Sequence, residues 1–179
     1  MTADTASHMP TLWLFETARL QVRRIEPDDG AAMLAVYGDA EAMRWVGDGR
    51  PLIRAQCEEW IDVTLRNYAT RGYGMVALIE RATGEAIGFC GLVHPDGQPE
   101  AEIKYALRRD HWGRGLATEA ATALLAWGAS ALGLQQVIAT TALENTDSHR
   151  VLLKIGMRRG DLRHNPDGSR TQLFIWTSA

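Results

Sequence analysis

The run Asp110-His111-Trp112-Gly113-Arg114-Gly115-Leu116-Ala117-Thr118-Glu119-Ala120 sets two glycines and an arginine in a turn that opens onto a long apolar stretch. Ahead of it Ala101 to Leu107 reads as a strand, and behind it Gly115 to Leu132 reads as a helix. Strand, Gly-rich turn and helix in that order call for a helix packed back onto a sheet. The same order also makes an anion cradle. Glycines let the backbone approach a ligand closely, the first helical turn leaves about four N–H groups without internal partners, and the positive end of the helix dipole faces the turn. A bare G-x-G is common in ordinary turns, so the flanks carry the reading.

Those flanks extend to most of the chain. Leu20 to Ile25 alternates as a first strand, and Pro27-Asp28-Asp29 stops it, with Asp28 or Asp29 placed to N-cap a short helix to Tyr37. After the loop Gly47 to Pro51, a helix from about Arg54 to Ala69 repeats Cys57, Trp60, Ile61 and Leu65 at helical spacing. Gly74 to Glu80 and Ala86 to Val93 form a hairpin whose strands are apolar at nearly every position, as in a sheet covered on both faces. Beyond the long helix come a strand at Gln136 to Ala142, a helix begun by Asn145-Thr146-Asp147-Ser148, and a final hairpin, Met157 to Leu162 with Thr171 to Thr177. The expectation is a single mixed α/β domain over 12–179, about seven strands flanked by about four helices, preceded by a flexible arm over 1–11.

Bulk properties narrow the function. The 179 residues suffice to bury a core without metal or disulfide staples, and 46% hydrophobic with 23% charged residues is ordinary globular composition. A net charge of −3 argues against a general nucleic-acid or membrane-surface binder, which needs a basic excess. No apolar run reaches the roughly 18 residues of a membrane span. Cys57 and Cys90 are far apart, with no paired-cysteine motif and no histidine at ligand spacing, so no metal is expected, and two free thiols suit a reducing cytoplasm.

The element order, with W-G-R-G-L-A-T-E-A at the turn and N-x-x-S-x-R-V-L-x-K-x-G-M after the next strand, resembles the GCN5-related N-acetyltransferases (GNAT). Glu16-Thr17-Ala18-Arg19-Leu20, Ile87-Gly88 and Glu102-Ile103 make it similar to the branch holding the bacterial ribosomal-protein N-terminal acetyltransferases. The resemblance implies acetyl-CoA as acetyl donor, no metal, and a primary amine as acceptor, either a protein N-terminus or a small amine such as a polyamine, amino acid or antibiotic. A homodimer is a family-level expectation. A non-catalytic acyl-CoA-binding module is the alternative from another class.

Carried over residue by residue, the backbone of Gly113, Arg114, Gly115, Leu116 and Ala117 would hold the pyrophosphate. Ala106 and Leu107 would hold the pantetheine arm and acetyl carbonyl, and Asn145 the arm from the other side. Asp110 stands where relatives commonly carry Gln or Arg, which removes one cation; Arg109 and Arg114 either replace it or are solvated surface arginines. Leu152 stands where many relatives place an acid tyrosine, leaving Ser148 as candidate acid, against the simpler reading that Asn145 and Ser148 only cap a helix. Glu102 is the candidate base, with Lys104 two residues on and able to pair with it and weaken it. By strand alternation Tyr105 faces away from Glu102 and is expected in the core. Glu119 is expected to cap its helix rather than react, and Trp112 to pack the turn. The acceptor groove is expected from Asp29 to Ala69 and the final hairpin.

Overall fold

The computed structural model describes residues 10–178. Of the arm expected at 1–11, all but Pro10 and Thr11 lies outside the described residues. Eight strands form one sheet: β1 Trp13–Glu16, β2 Leu20–Arg24, β3 Met75–Glu80, β4 Ala86–Val93, β5 Glu102–Leu107, β6 Gln136–Ala142, β7 Arg158–His164 and β8 Arg170–Thr177. Five helices accompany them: α1 Gly30–Tyr37, α2 Ala40–Met43, α3 Arg54–Arg71, α4 Leu116–Leu132 and α5 Thr146–Lys154. The sheet order is β1-β2-β3-β4-β5-β6-β8-β7. Every neighbouring pair is antiparallel except β5 with β6.

The expected mixed α/β domain is present, with one more strand and one more helix than expected. The extra strand, β1, is a four-residue edge segment whose only ladder is with β2. The extra helix, α2, is a single turn. It exists because the Asp39 carboxylate accepts the amides of Glu41 and Ala42, which satisfies donors that so short a helix cannot bond internally. Asp29 sits at the head of α1, yet its carboxylate makes no capping bond. Two 2.7 Å bonds from the Arg23 guanidinium engage it instead, along with the Glu26 amide.

Two cores lie on opposite faces of the sheet. Leu20, Val22, Leu78, Ile87 and Leu92 face α4, whose Ala120, Ala121, Leu124 and Leu125 are buried against them. On the other face Ala77, Ile79 and Phe89 meet Met33, Val36, Cys57 and Ile61 of α1 and α3. Interior strands β3 and β4 are therefore covered on both sides, which is why their sequences are apolar without alternation.

Candidate active site

The turn before α4 is an exposed row of donors. Gly113 and Gly115 adopt φ of +70° and +74°, a left-handed backbone that favours glycine. The first amide to bond back into the helix is that of Glu119, to the Gly115 carbonyl at 3.1 Å. Among the described residues, no amide from Gly113 to Thr118 has a protein acceptor. Six unpaired N–H groups at a helix N-terminus fit the phosphates of a nucleotide-type ligand such as coenzyme A.

Glu119 holds this turn in place, although it makes no cap at the start of α4 as had been expected. Its carboxylate accepts from the Arg19 backbone amide at 2.9 Å, from Arg19 Nε at 2.7 Å and from Thr17 Oγ1 at 2.6 Å. Arg19 Nη1 in turn donates to the Arg114 carbonyl at 2.8 Å. Partial burial works to raise the Glu119 carboxyl, but the bonds from Thr17 and Arg19 outweigh it and hold the group below the ordinary carboxylate range. The Thr17–Leu20 segment and the T-E-A of α4 are thus one brace.

Arg109 and Arg114, the expected phosphate cations, are engaged elsewhere. Arg109 reaches Asp39 at 2.6 Å and Arg114 reaches Glu80 at 2.8 Å. Neither lines the cleft that the turn borders; its basic side chains are Arg44, Lys104, Arg150 and Lys154. Arg150 and Lys154 were visible in the sequence as the Arg and Lys of the motif after Asn145, four residues apart on one helical face, but that motif alone gave them no role.

The cleft has its origin in the parallel pair. β5 and β6 register only at Glu102 with Ile138, where the Ile138 amide donates to the Ala101 carbonyl at 2.9 Å. Past that point the strands separate, and a cavity of about 1080 Å³ opens between them. Ala106 and Leu107 on one side and Ala139, Thr140 and Thr141 on the other form its throat. Gly88 on the neighbouring β4 allows this, since a Cβ there would stand 2.6 Å from the Ala106 carbonyl oxygen and 2.4 Å from Leu107 Cδ2. Trp112 secures the end of β5 by donating Nε1 to the Leu107 carbonyl at 2.8 Å. His111, buried, sits 2.8 Å from Asp110 and 3.6 Å from Glu80 beneath the turn.

Alternation along β5 sends its side chains into two compartments. Ile103, Tyr105 and Leu107 join the core under α4, and Ala106 joins the core under α1 and α3. Glu102 and Lys104 share the parity of Ala106. Glu102 is 2% exposed and does not itself line the cleft. Its carboxylate accepts from Lys104 Nζ, from Thr140 Oγ1 at 2.5 Å and from Gln98 Nε2 at 3.1 Å. Burial works to raise its pKa, but the Lys104 ammonium and these three hydrogen bonds prevail, holding Glu102 ionised and below the ordinary range.

On the α4 side Ser148 Oγ lies 2.7 Å from the Tyr105 hydroxyl, and both residues line the cleft. Tyr105 faces away from Glu102, as alternation requires, and packs against the core under α4 as expected, while the residue also borders the cleft where its hydroxyl meets Ser148 Oγ. Burial pushes its pKa up to about 12, against the Ser148 bond. Asn145 Oδ1 accepts the Ser148 amide at 3.2 Å, so the residue does cap α5. Among the described residues its Nδ2 has no protein partner, and it too lines the cleft. Leu152 is buried in the core.

The far wall comes from the first three helices, with Met33, Tyr37, Glu41, Trp60 and Val63 among its residues and Trp45 in the loop after α2. No residue of β7 or β8 lines it, so the final hairpin contributes none of the groove expected of it. Among the described residues no group of three or more His, Cys, Asp or Glu could hold a metal ion, and no helix is long and apolar enough to cross a membrane.

Comparison with known proteins agrees with this geometry. Residues 19–158 match the family described as acetyltransferase (GNAT) domain. The "uncharacterized N-acetyltransferase p20" of Bacillus licheniformis is 29% identical, over 93% of this chain and 92% of its own length. The crystal structure of an acetyltransferase from Agrobacterium tumefaciens str. C58 superposes with a TM-score of 0.79 at 27% identity, covering 95% of each chain. RimL, a ribosomal L7/L12 α-N-protein acetyltransferase in complex with coenzyme A, shares the fold, with a TM-score of 0.78 at 15% identity over 92% of this chain and 97% of that one.

Proposed function

This chain belongs to the GNAT acetyltransferase family and is an N-acetyltransferase; from that premise we propose that it acetylates the α-amine of a protein N-terminus by direct attack on acetyl-CoA in a ternary complex. The amides of Gly113 to Ala117 hold the pyrophosphate, and Asn145 Nδ2 with the backbone of Ala106 and Leu107 holds the pantetheine arm and the acetyl carbonyl. The acceptor enters from the α1–α3 side. Its nitrogen forms the new bond to the acetyl carbon as the carbon–sulfur bond breaks. The proton lost by the nitrogen passes through water toward Glu102. Ser148 gives a proton to the departing thiolate and regains one from Tyr105, which takes its own back from water, as Glu102 returns its proton to water.

One observation carries the choice of acceptor: Glu102 is held ionised by Lys104 and three hydrogen bonds, so it has little appetite for a proton. An α-amine titrates near 8 and a lysine near 10.4, a gap worth about 3 to 3.5 kcal/mol. At pH 7.5 a substantial fraction of α-amine is already neutral, against roughly a thousandth of lysine. A base this weak suits the first better than the second.

Thiol release with a free N-terminal peptide, compared with an N-blocked peptide carrying one lysine, tests the assignment. The free peptide is expected to turn over with a rate that rises with pH to a plateau above about 8, following the acceptor's own ionisation. Equal or better turnover of the blocked lysine peptide overturns it.

A further inference from the structure

The acceptor end of the cleft is walled by aromatic and aliphatic side chains. Trp60 packs edge to face on the buried Tyr37, ring centroids 5.3 Å apart, and Trp45, Val63 and Met75 complete the wall beside Thr64 and Asn67. Trp45 and Val63 are each 41% exposed, which leaves apolar surface uncovered beside the site. Charge in this compartment is sparse. Of the cleft's two lining carboxylates among the described residues, Asp147 belongs to α5 and Glu41 to this wall, where Arg44, lying 5.0 Å over the Trp45 ring, offsets it. Lys104 adds a cation that the buried Glu102 behind it neutralises.

We infer that the acceptor is an α-amine carrying an apolar or aromatic side group, which this wall receives while the amine reaches the throat at Ala106. The inference rests on the acetyl-transfer reading above and narrows its acceptor. A polycation such as a polyamine or an aminoglycoside has no matching anionic surface here, since the lining charges cancel, and would strip water from its own charges against indole and thioether groups. An acceptor with a bare or small polar side group would leave the wall wet and lose the burial term. The chemistry is common to two sources, a peptide N-terminus with an apolar first residue and a free amino-acid amide.

The test measures thiol release with acetyl-CoA and a matched set: glycinamide, leucinamide, phenylalaninamide, peptides beginning with Phe or Ser, spermidine and kanamycin. Phenylalaninamide or the Phe peptide is expected to exceed its Gly or Ser counterpart in kcat/KM by about 10- to 100-fold. The ratio of amide to peptide distinguishes the two sources. Trp45→Ala and Trp60→Ala are expected to collapse the phenylalaninamide-to-glycinamide ratio, mainly through KM. Equal kcat/KM across side groups, or preference for spermidine or kanamycin, overturns the inference.

Binding is read separately from turnover. With coenzyme A present, phenylalaninamide is expected to quench tryptophan fluorescence saturably, and Trp45→Phe to diminish that signal. Saturable quenching without turnover keeps the acceptor class and removes the transfer reading. Absence of both quenching and turnover overturns the acceptor class.

Discussion

At the scale of single residues, the chemistry divides across one strand. Lys104 and Tyr105 are neighbours in sequence, yet pleating sends them to opposite faces of the sheet, one beside the Glu102 carboxylate proposed to receive a proton and one beside the Ser148 hydroxyl proposed to donate one. Ser148→Ala is expected to lower kcat on the order of 100-fold while leaving the acetyl-CoA Kd unchanged, as read by steady-state kinetics beside calorimetry. Tyr105→Phe removes the hydroxyl behind Ser148 at nearly constant volume, so it should lower kcat by less and spare Kd. Unchanged kcat in both variants would take the proton route away from this pair. Glu102, Ser148, Asn145 and the glycines were all readable as candidates from motif and spacing. The hydrogen bond between Tyr105 and Ser148 was not, because alternation says which way a side chain points but not which group 43 residues away its tip will meet. The ion pairs of Arg109 and Arg114 were hidden for a related reason: their partners, Asp39 and Glu80, are 70 and 34 residues away, and no local pattern reveals such a pairing.

At the scale of elements, the cleft is a consequence of incomplete strand pairing. The β5–β6 pair is the one place where parallel neighbours meet, and it holds together at a single register before the strands part. Gly88 makes the opposite edge of β5 close enough to compensate. Gly88→Ala is expected to destabilise the protein by roughly 1–3 kcal/mol, because the new methyl must displace the backbone carbonyl of Ala106 as well as a leucine side chain. Urea denaturation measures it, and a change below about 0.5 kcal/mol would mean that β5 shifts freely. Long periodic elements such as α3, α4, β3 and β4 were legible because burial imposes period on sequence. The strand β1 and the single-turn helix α2 were not, since each depends on a tertiary partner: the β2 ladder for one, and for the other the Asp39 cap that Arg109 also grips.

At the scale of the whole molecule, three carboxylates tie distant parts together around the cradle and the cleft: Glu80 with Arg114, Glu102 with Thr140 and Glu119 with Arg19. In each, desolvation works to raise the pKa and the hydrogen-bonded partners more than reverse it, leaving the group below its ordinary value of 4.5. Each therefore binds a proton less readily folded than unfolded. The stability they contribute is complete above that value and is lost progressively as pH falls below it. The thermal midpoint is expected to be level near neutrality and to drop between about pH 5 and pH 3, as followed by circular dichroism. A midpoint that stays constant to pH 3 would mean these links add nothing to the fold.

The same linkage gives the cradle its meaning: a turn held by Glu119 and Arg19, with six amides left unpaired, is shaped for a ligand that the chain does not itself supply. Titration calorimetry of acetyl-CoA into the protein, its Gly115→Ala variant and its Gly115→Glu variant addresses this most directly. Wild type is expected to bind one equivalent saturably. Gly115→Ala should bind more weakly, through the strain of an L side chain at φ +74°, and Gly115→Glu should not bind, because a carboxylate would occupy the place of a phosphate. No saturable binding to wild type, or binding undiminished by the glutamate, would contradict the assignment of this turn as the acetyl-CoA site.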